Sequence, residues 1–163
     1  MSAKLGNADG TDRTLLNKSM QGNLAEIELG RLAITHSSNP VIEGFGTRIA
    51  QDGSKGVANL QALAGMLHVS LPSEPSAAQE HQISELSKLH GAQFDARFQK
   101  IALTDETQFL KSFQSGVSAA QNGAVEATIK NMVPVVQEHI QIAQAIPSQY
   151  PQRTAQAVER TLR

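Results

Sequence analysis

Six prolines punctuate this chain, and between them apolar residues recur at helical spacing rather than in the alternation of a strand. Thr11 or Asp12 can cap a first helix that runs to about His36, where Ser37-Ser38-Asn39-Pro40 stops it. Pro40 suits the first turn of a second helix, from about Val41 to Leu67, because that turn leaves its N–H groups unpaired in any case. The segment LPSEPS, with Pro72 and Pro75, cannot be helical throughout, and the stretch from His68 to Gly91 is the longest connection. It carries a short helix from about Ala77 to Leu89. A third long helix, about Ala92 to Val117, sets Phe94, Phe98, Ile101, Phe109 and Phe113 at helical intervals. The fourth, about Ala124 to Ala145, contains Pro134, which predicts a kink or a break near Met132-Val133.

Short links make neighbouring helices antiparallel, whereas the long connection can cross a bundle. The expected fold is therefore all-α: an antiparallel four-helix bundle, ferritin-like, with one long crossover carrying a short extra helix. Residues 1–10 read as a flexible tail, residues 11–147 as the bundle domain, and residues 148–163 as a second tail able to form a short helix. A chain of 163 residues can bury one core without disulfides or a structural metal. With 4% aromatic residues and no Trp, that core must be largely aliphatic, which suits packed helices better than a sandwich.

The same composition removes several functions. Fourteen Lys and Arg against fifteen Asp and Glu leave no excess cation to neutralise a phosphate backbone, so nucleic acid is not an expected partner. The absence of cysteine excludes thiolate metal sites and a cysteine nucleophile. No apolar run approaches the roughly 18–20 residues of a membrane span, and MSAKLGNADG lacks the apolar core of a signal peptide. The chain as given reads as soluble, with a removed export signal left open. No nucleophile elbow, phosphate loop or HExxH motif occurs, so no enzymatic activity is expected.

Polar residues on apolar faces are the candidates for chemistry. On the first helix Glu26 falls between a stripe of Leu16, Met20, Ile27 and Ile34 and a stripe of Leu15, Leu29, Leu32 and Ala33. Its neighbours Ser19, Gly22, Asn23 and Gly30 are small enough to let another helix approach, whereas Glu28 should be solvated. Asp52 lies at the edge of the apolar face of the second helix, which has Gly53 and Gly56 in its middle. Asp105 sits among Phe94, Phe98, Ile101 and Phe109, with Glu106 nearer Leu110 and Phe113. His139 shares a face with Met132, Val136, Ala143 and Ile146. A carboxylate among aromatics needs a partner, and His139 is the obvious one for Asp105.

The segments NLAEIELGRLA, NPVIEGFGTRIAQD, LHGAQFDARF and VPVVQEHIQIA, in that order and spacing, resemble a bacterial family known as domain of unknown function 4142. The resemblance covers nearly the whole chain. It implies a ferritin-like, periplasmic or envelope-associated protein, with a cytoplasmic location as the alternative. Members typically read Asp-His in both the second and the third long helix, where this chain reads Asp52-Gly53 and Asp105-Glu106. Without Glu-x-x-His on the long helices, a di-iron centre of the usual type is not expected.

Two readings follow. In the first, Glu26, Asp52, Asp105 and His139 form an inward polar cluster that fixes helix register, no cofactor is held, and the bundle acts non-enzymatically through its surface on a protein partner or envelope component. In the second, a reduced ferritin-like site of Glu26, Asp52, Asp105, Glu106 and His139 holds a divalent metal.

Overall fold

In the computed structural model, which describes residues 8–147, the first helix begins slightly earlier than its sequence suggests. Asp9 is the N-cap of α1 (Gly10–His36): its side chain accepts from the Asp12 amide, and the Asp12 side chain accepts from the Asp9 amide. Asp12 is therefore the third helical residue rather than the cap. Its Oδ1 also accepts from the Gln121 amide at 3.0 Å, which ties the start of α1 to the turn between the last two helices. Ala8, assigned by sequence to a tail, is buried. The segment 148–163 lies outside the described residues.

Asn39 caps α2 (Pro40–Leu67), with Pro40 in its first turn as expected. A Ser76/Gln79 capping box starts α3 (Ala77–Leu86), which ends three residues before the position expected from sequence. The chain enters α4 (Gly91–Ala119) through Gly91 at φ 57°, a conformation that favours glycine. Asn122 caps α5 (Gly123–Ala145) by accepting from the amides of Ala124 and Val125. Of the kink or break predicted near Met132-Val133, the break does not occur, since α5 runs through Pro134 uninterrupted. Pro134 lies on the exposed face, so the Lys130 carbonyl that loses its helical partner can be hydrated.

Among the described residues the fold is all-helical, and no helix is long and apolar enough to cross a membrane. Along α1 and α2 the backbones nearly touch: a Cβ on Gly30 would stand 2.3 Å from the Gly46 carbonyl oxygen, and one on Gly46 would stand 2.4 Å from Ala33 Cβ. Gly30 faces Gly46 while Asn23 faces Gly53 and Gly56, so the two helices run in opposite directions. The α4–α5 pair does the same. Gln99 donates from Nε2 to the carbonyls of Ala143 and Ile146, and Glu106 lies opposite His139.

The core divides in two. One half gathers Leu29, Ala33, Ile42, Phe45, Ile49, Phe94, Phe98, Ile101 and Ala143, with Leu86 of α3 closing over it. The other gathers Leu16, Met20, Leu60, Leu63, Phe113, Val125, Ile129 and Val136. Ile34, expected inside, is 47% exposed near the end of α1.

Candidate functional site

Between the two halves lies a polar layer to which each of the four long helices contributes one group. His139 of α5, 1% exposed, is its centre. One ring nitrogen, Nδ1, lies 2.9 Å from Glu106 Oε1 on α4, and the other, Nε2, lies 3.3 Å from Asp52 Oδ2 on α2. Glu26 of α1 completes the layer. One ligand atom each from Glu26, Glu106 and His139 lie within 4.8 Å of one another.

The partner of His139 on α4 is thus Glu106, not Asp105. Asp105 is half-buried and turned away, and its Oδ2 accepts from Gln82 Nε2 of α3 at 2.7 Å. Buried positions on α4 climb in steps of four, Phe94, Phe98, Ala102, Glu106, so the inward face drifts around the helix and reaches Glu106 where a fixed wheel centres Asp105. Side-chain direction also brings Glu106 and His139 together along the axis. Cα–Cβ bonds tilt toward a helix N-terminus, so on oppositely directed helices Glu106 leans away from the α4–α5 turn while His139 leans toward it.

Asp52 reaches His139 from the rim and is the best-neutralised carboxylate of the layer. Arg48, one turn earlier, donates Nε–H to Asp52 and another N–H to Glu138 at 2.9 Å, and Lys55 donates to Asp52 at 3.1 Å. The i,i+4 spacing of Arg48 and Asp52 is visible in the sequence, though the link to Glu138 is not. Glu28 pairs with Arg31 on the surface, solvated as expected.

The electrostatics follow from these contacts. Burial raises the pKa of Glu26 well above the usual carboxylate value, and the negative charges of Glu106, Asp52 and Asp105 raise it further. Glu106 is also raised by burial, against the lowering effect of its bond to His139. For Asp52 burial works upward too, but Arg48, Lys55 and His139 outweigh it and hold the pKa low. His139 would be lowered by burial, yet Glu106 and Asp52 outweigh that and hold the imidazolium above its ordinary range. Asp105 is raised by burial despite its bond from Gln82.

A cavity of about 610 Å³ opens beside this layer, on the side where α2 faces α5. Glu26, Asp52 and His139 stand at its polar end, and Leu63, Met66, Phe109, Phe113, Met132 and Val136 form apolar walls. Asn23, noted in the sequence only for its size, also faces this space.

A family model described as Domain of unknown function (DUF4142) matches residues 1–146. The chain belongs to the DUF4142 family. No curated protein and no solved structure matches it.

This DUF4142 chain has no room for an imidazole at position 53. A Cβ there would lie 2.9 Å from the Asn23 carbonyl oxygen and 3.3 Å from Glu26 Cβ, so any side chain would have to separate α1 from α2. Glu106, next to Asp105, instead occupies a buried place on α4.

The donor set of this DUF4142 domain fits one cation. Glu106 is 2% exposed and its Oε2 is buried without a hydrogen-bond partner, an arrangement that costs free energy unless a proton or cation fills it. The span of 4.8 Å is slightly wider than the roughly 4.2 Å across a coordination sphere of bonds near 2.1 Å, so small side-chain rotations suffice. Whichever ring nitrogen of His139 ligates, the other keeps a carboxylate partner that fixes its orientation. A single imidazole with two carboxylates does not make up the pair of sites of a dinuclear centre.

Proposed function

We propose that this protein binds a single divalent cation inside a ferritin-like, antiparallel four-helix bundle, with Glu26, Glu106 and His139 as ligands and Asp52 orienting His139. The reading is carried by the convergence of one donor atom each from Glu26, Glu106 and His139, on three different helices, and Glu106 has a second carboxylate oxygen, Oε2, buried without a partner. Oxygen and imidazole donors suit manganese, ferrous iron or zinc rather than cuprous copper. Binding without turnover, in an envelope compartment as the family resemblance implies, belongs to the same proposal. Asp105 leaves the ligand set, because Gln82 engages it on the α3 side. The surface-interaction reading has less behind it: among the described residues, the large exposed apolar side chains are Ile34, Val41 and Met66, too few for a broad docking face.

The test is elemental analysis of protein purified without an affinity tag, followed by titration with manganese, iron and zinc. The wild type should bind one equivalent. Glu106→Gln and Glu26→Gln should each weaken binding by at least about ten-fold while keeping the fold by circular dichroism, and Asp105→Asn should leave binding unchanged. No stoichiometric metal, or an equal loss with Asp105→Asn, defeats the proposal.

A further inference from the structure

We infer that the cavity beside this layer is a binding site for an amphipathic primary amine, its ammonium head against Glu26 and Asn23 and its apolar body between Leu63, Met66, Phe109, Phe113 and Met132. At about 610 Å³ the space falls within the roughly 300–1,000 Å³ of small-molecule sites, and its character is theirs: apolar walls with a few polar groups at one end.

The polar end selects the head group. Ser19, Asn23 and Glu26 follow one another at i, i+4 and i+7 on α1, which sets them on a single stripe facing the cavity. Ser19 already donates its hydroxyl hydrogen to the Leu15 carbonyl, and Asn23 donates from Nδ2 to the Ser19 carbonyl. Asn23 is 6% exposed, and its Oδ1, turned toward Gly56, accepts from no described residue. The Glu26 carboxyl, also on the lining, receives no hydrogen bond from a described residue either. Both nitrogens of His139 are engaged by carboxylates. The inner wall thus presents acceptors.

Among simple head groups the choices separate cleanly. An anionic head would face Glu26 and Asp52, and among the described residues the one ammonium on the lining, Lys55, has its side chain 73% exposed and paired to Asp52. A neutral hydroxyl offers one donor to several acceptors. An ammonium offers three donors in charge-assisted hydrogen bonds, and an apolar tail then covers the phenylalanine and methionine walls. This inference goes beyond the metal site: it needs the apolar walls, which a bare cation does not, and it does not need His139 as a ligand.

The experiment titrates octylamine, octanol and octanoate into the full chain with a chelator present throughout, read by calorimetry. Octylamine should bind one per chain, at least about ten-fold tighter than octanol or octanoate. Glu26→Gln should remove that preference. Ala127 is exposed on the rim, so Ala127→Trp can block the opening without overpacking the core, and it should abolish octylamine binding while a separate zinc titration still reads one equivalent. Octanoate binding as tightly as octylamine, undiminished octylamine binding to Ala127→Trp, or no octylamine binding at all overturns the inference. Because the chelator removes metal from the amine titration, failure of one proposal is read separately from failure of the other.

Discussion

The two halves of the core are lined by the same four helices but are filled differently. In the half near Phe98, rings interlock: Phe94 and Phe98 stack at 5.6 Å between centroids, and Phe45 meets Phe98 edge-on at 5.9 Å. In the half near Phe113, Phe109 and Phe113 also stack, at 6.0 Å, yet both rings border the cavity. The polar layer of Glu26, Asp52, Glu106 and His139 marks the boundary. Aromatic packing holds the fold on one side of it, and on the other, empty volume is kept next to carboxylates. The lesson is that the same four helices can pack tightly at one end of a bundle and leave open volume at the other.

Truncation should expose that difference most strongly. Phe98→Ala, at a fully buried position surrounded by rings, should cost about 3–5 kcal/mol in chemical denaturation. Phe113→Ala should cost about 1–3 kcal/mol, because part of its surface already faces empty space and has fewer contacts to lose. Equal losses would mean that the halves are packed alike.

A smaller effect should appear with pH in metal-free protein. Glu26 and Glu106 have folded pKa values above their ordinary 4.5, so the folded state holds more protons and stability falls as pH rises from there through the folded values. His139, also raised, stabilises fully below its ordinary 6.5 and loses that contribution as pH climbs through its folded value. Asp52 is lowered, and its contribution disappears only as pH falls below 3.8 toward its folded value. Melting followed from pH 5 to 9 should therefore decline, and Glu26→Gln should flatten the curve. A rising curve contradicts the protonation pattern.

The smallest change should come from filling the emptier half. Ala124→Leu on the cavity wall should raise stability by about 1 kcal/mol, from added apolar burial without displacement of a neighbour. Destabilisation would indicate that the wall is already tight.

Helix positions were legible because proline and glycine punctuation together with helical spacing act locally. Pro40 and Asn39 set the start of α2 as their chemistry requires. The site was only partly legible. Glu26, Asp52 and His139 could be found as polar residues on apolar faces, and all three converge. Glu106 entered only the five-residue metal reading and gave way to its neighbour Asp105 in the inward cluster, because a wheel fixed at one angle ignores the drift of the inward face, and because α3, whose Gln82 engages Asp105, entered that reading only as a connection. The cavity leaves no mark in sequence at all, since it depends on how far the hairpins stand apart.

The near contact of Gly30 with Gly46 has a mechanical side. With their backbones interlocked, α1 and α2 can shift only as one slab, and Asp12 fastens that slab to the start of α5 through Gln121. Compliance is then left to the middle of α5, where Pro134 has removed a rung of the hydrogen-bond ladder. A helix missing a rung bends there at less cost than in an unbroken turn, and the residues on either side of that rung, Met132 and Val136, are cavity wall, so the softest point of α5 and the edge of the empty volume coincide.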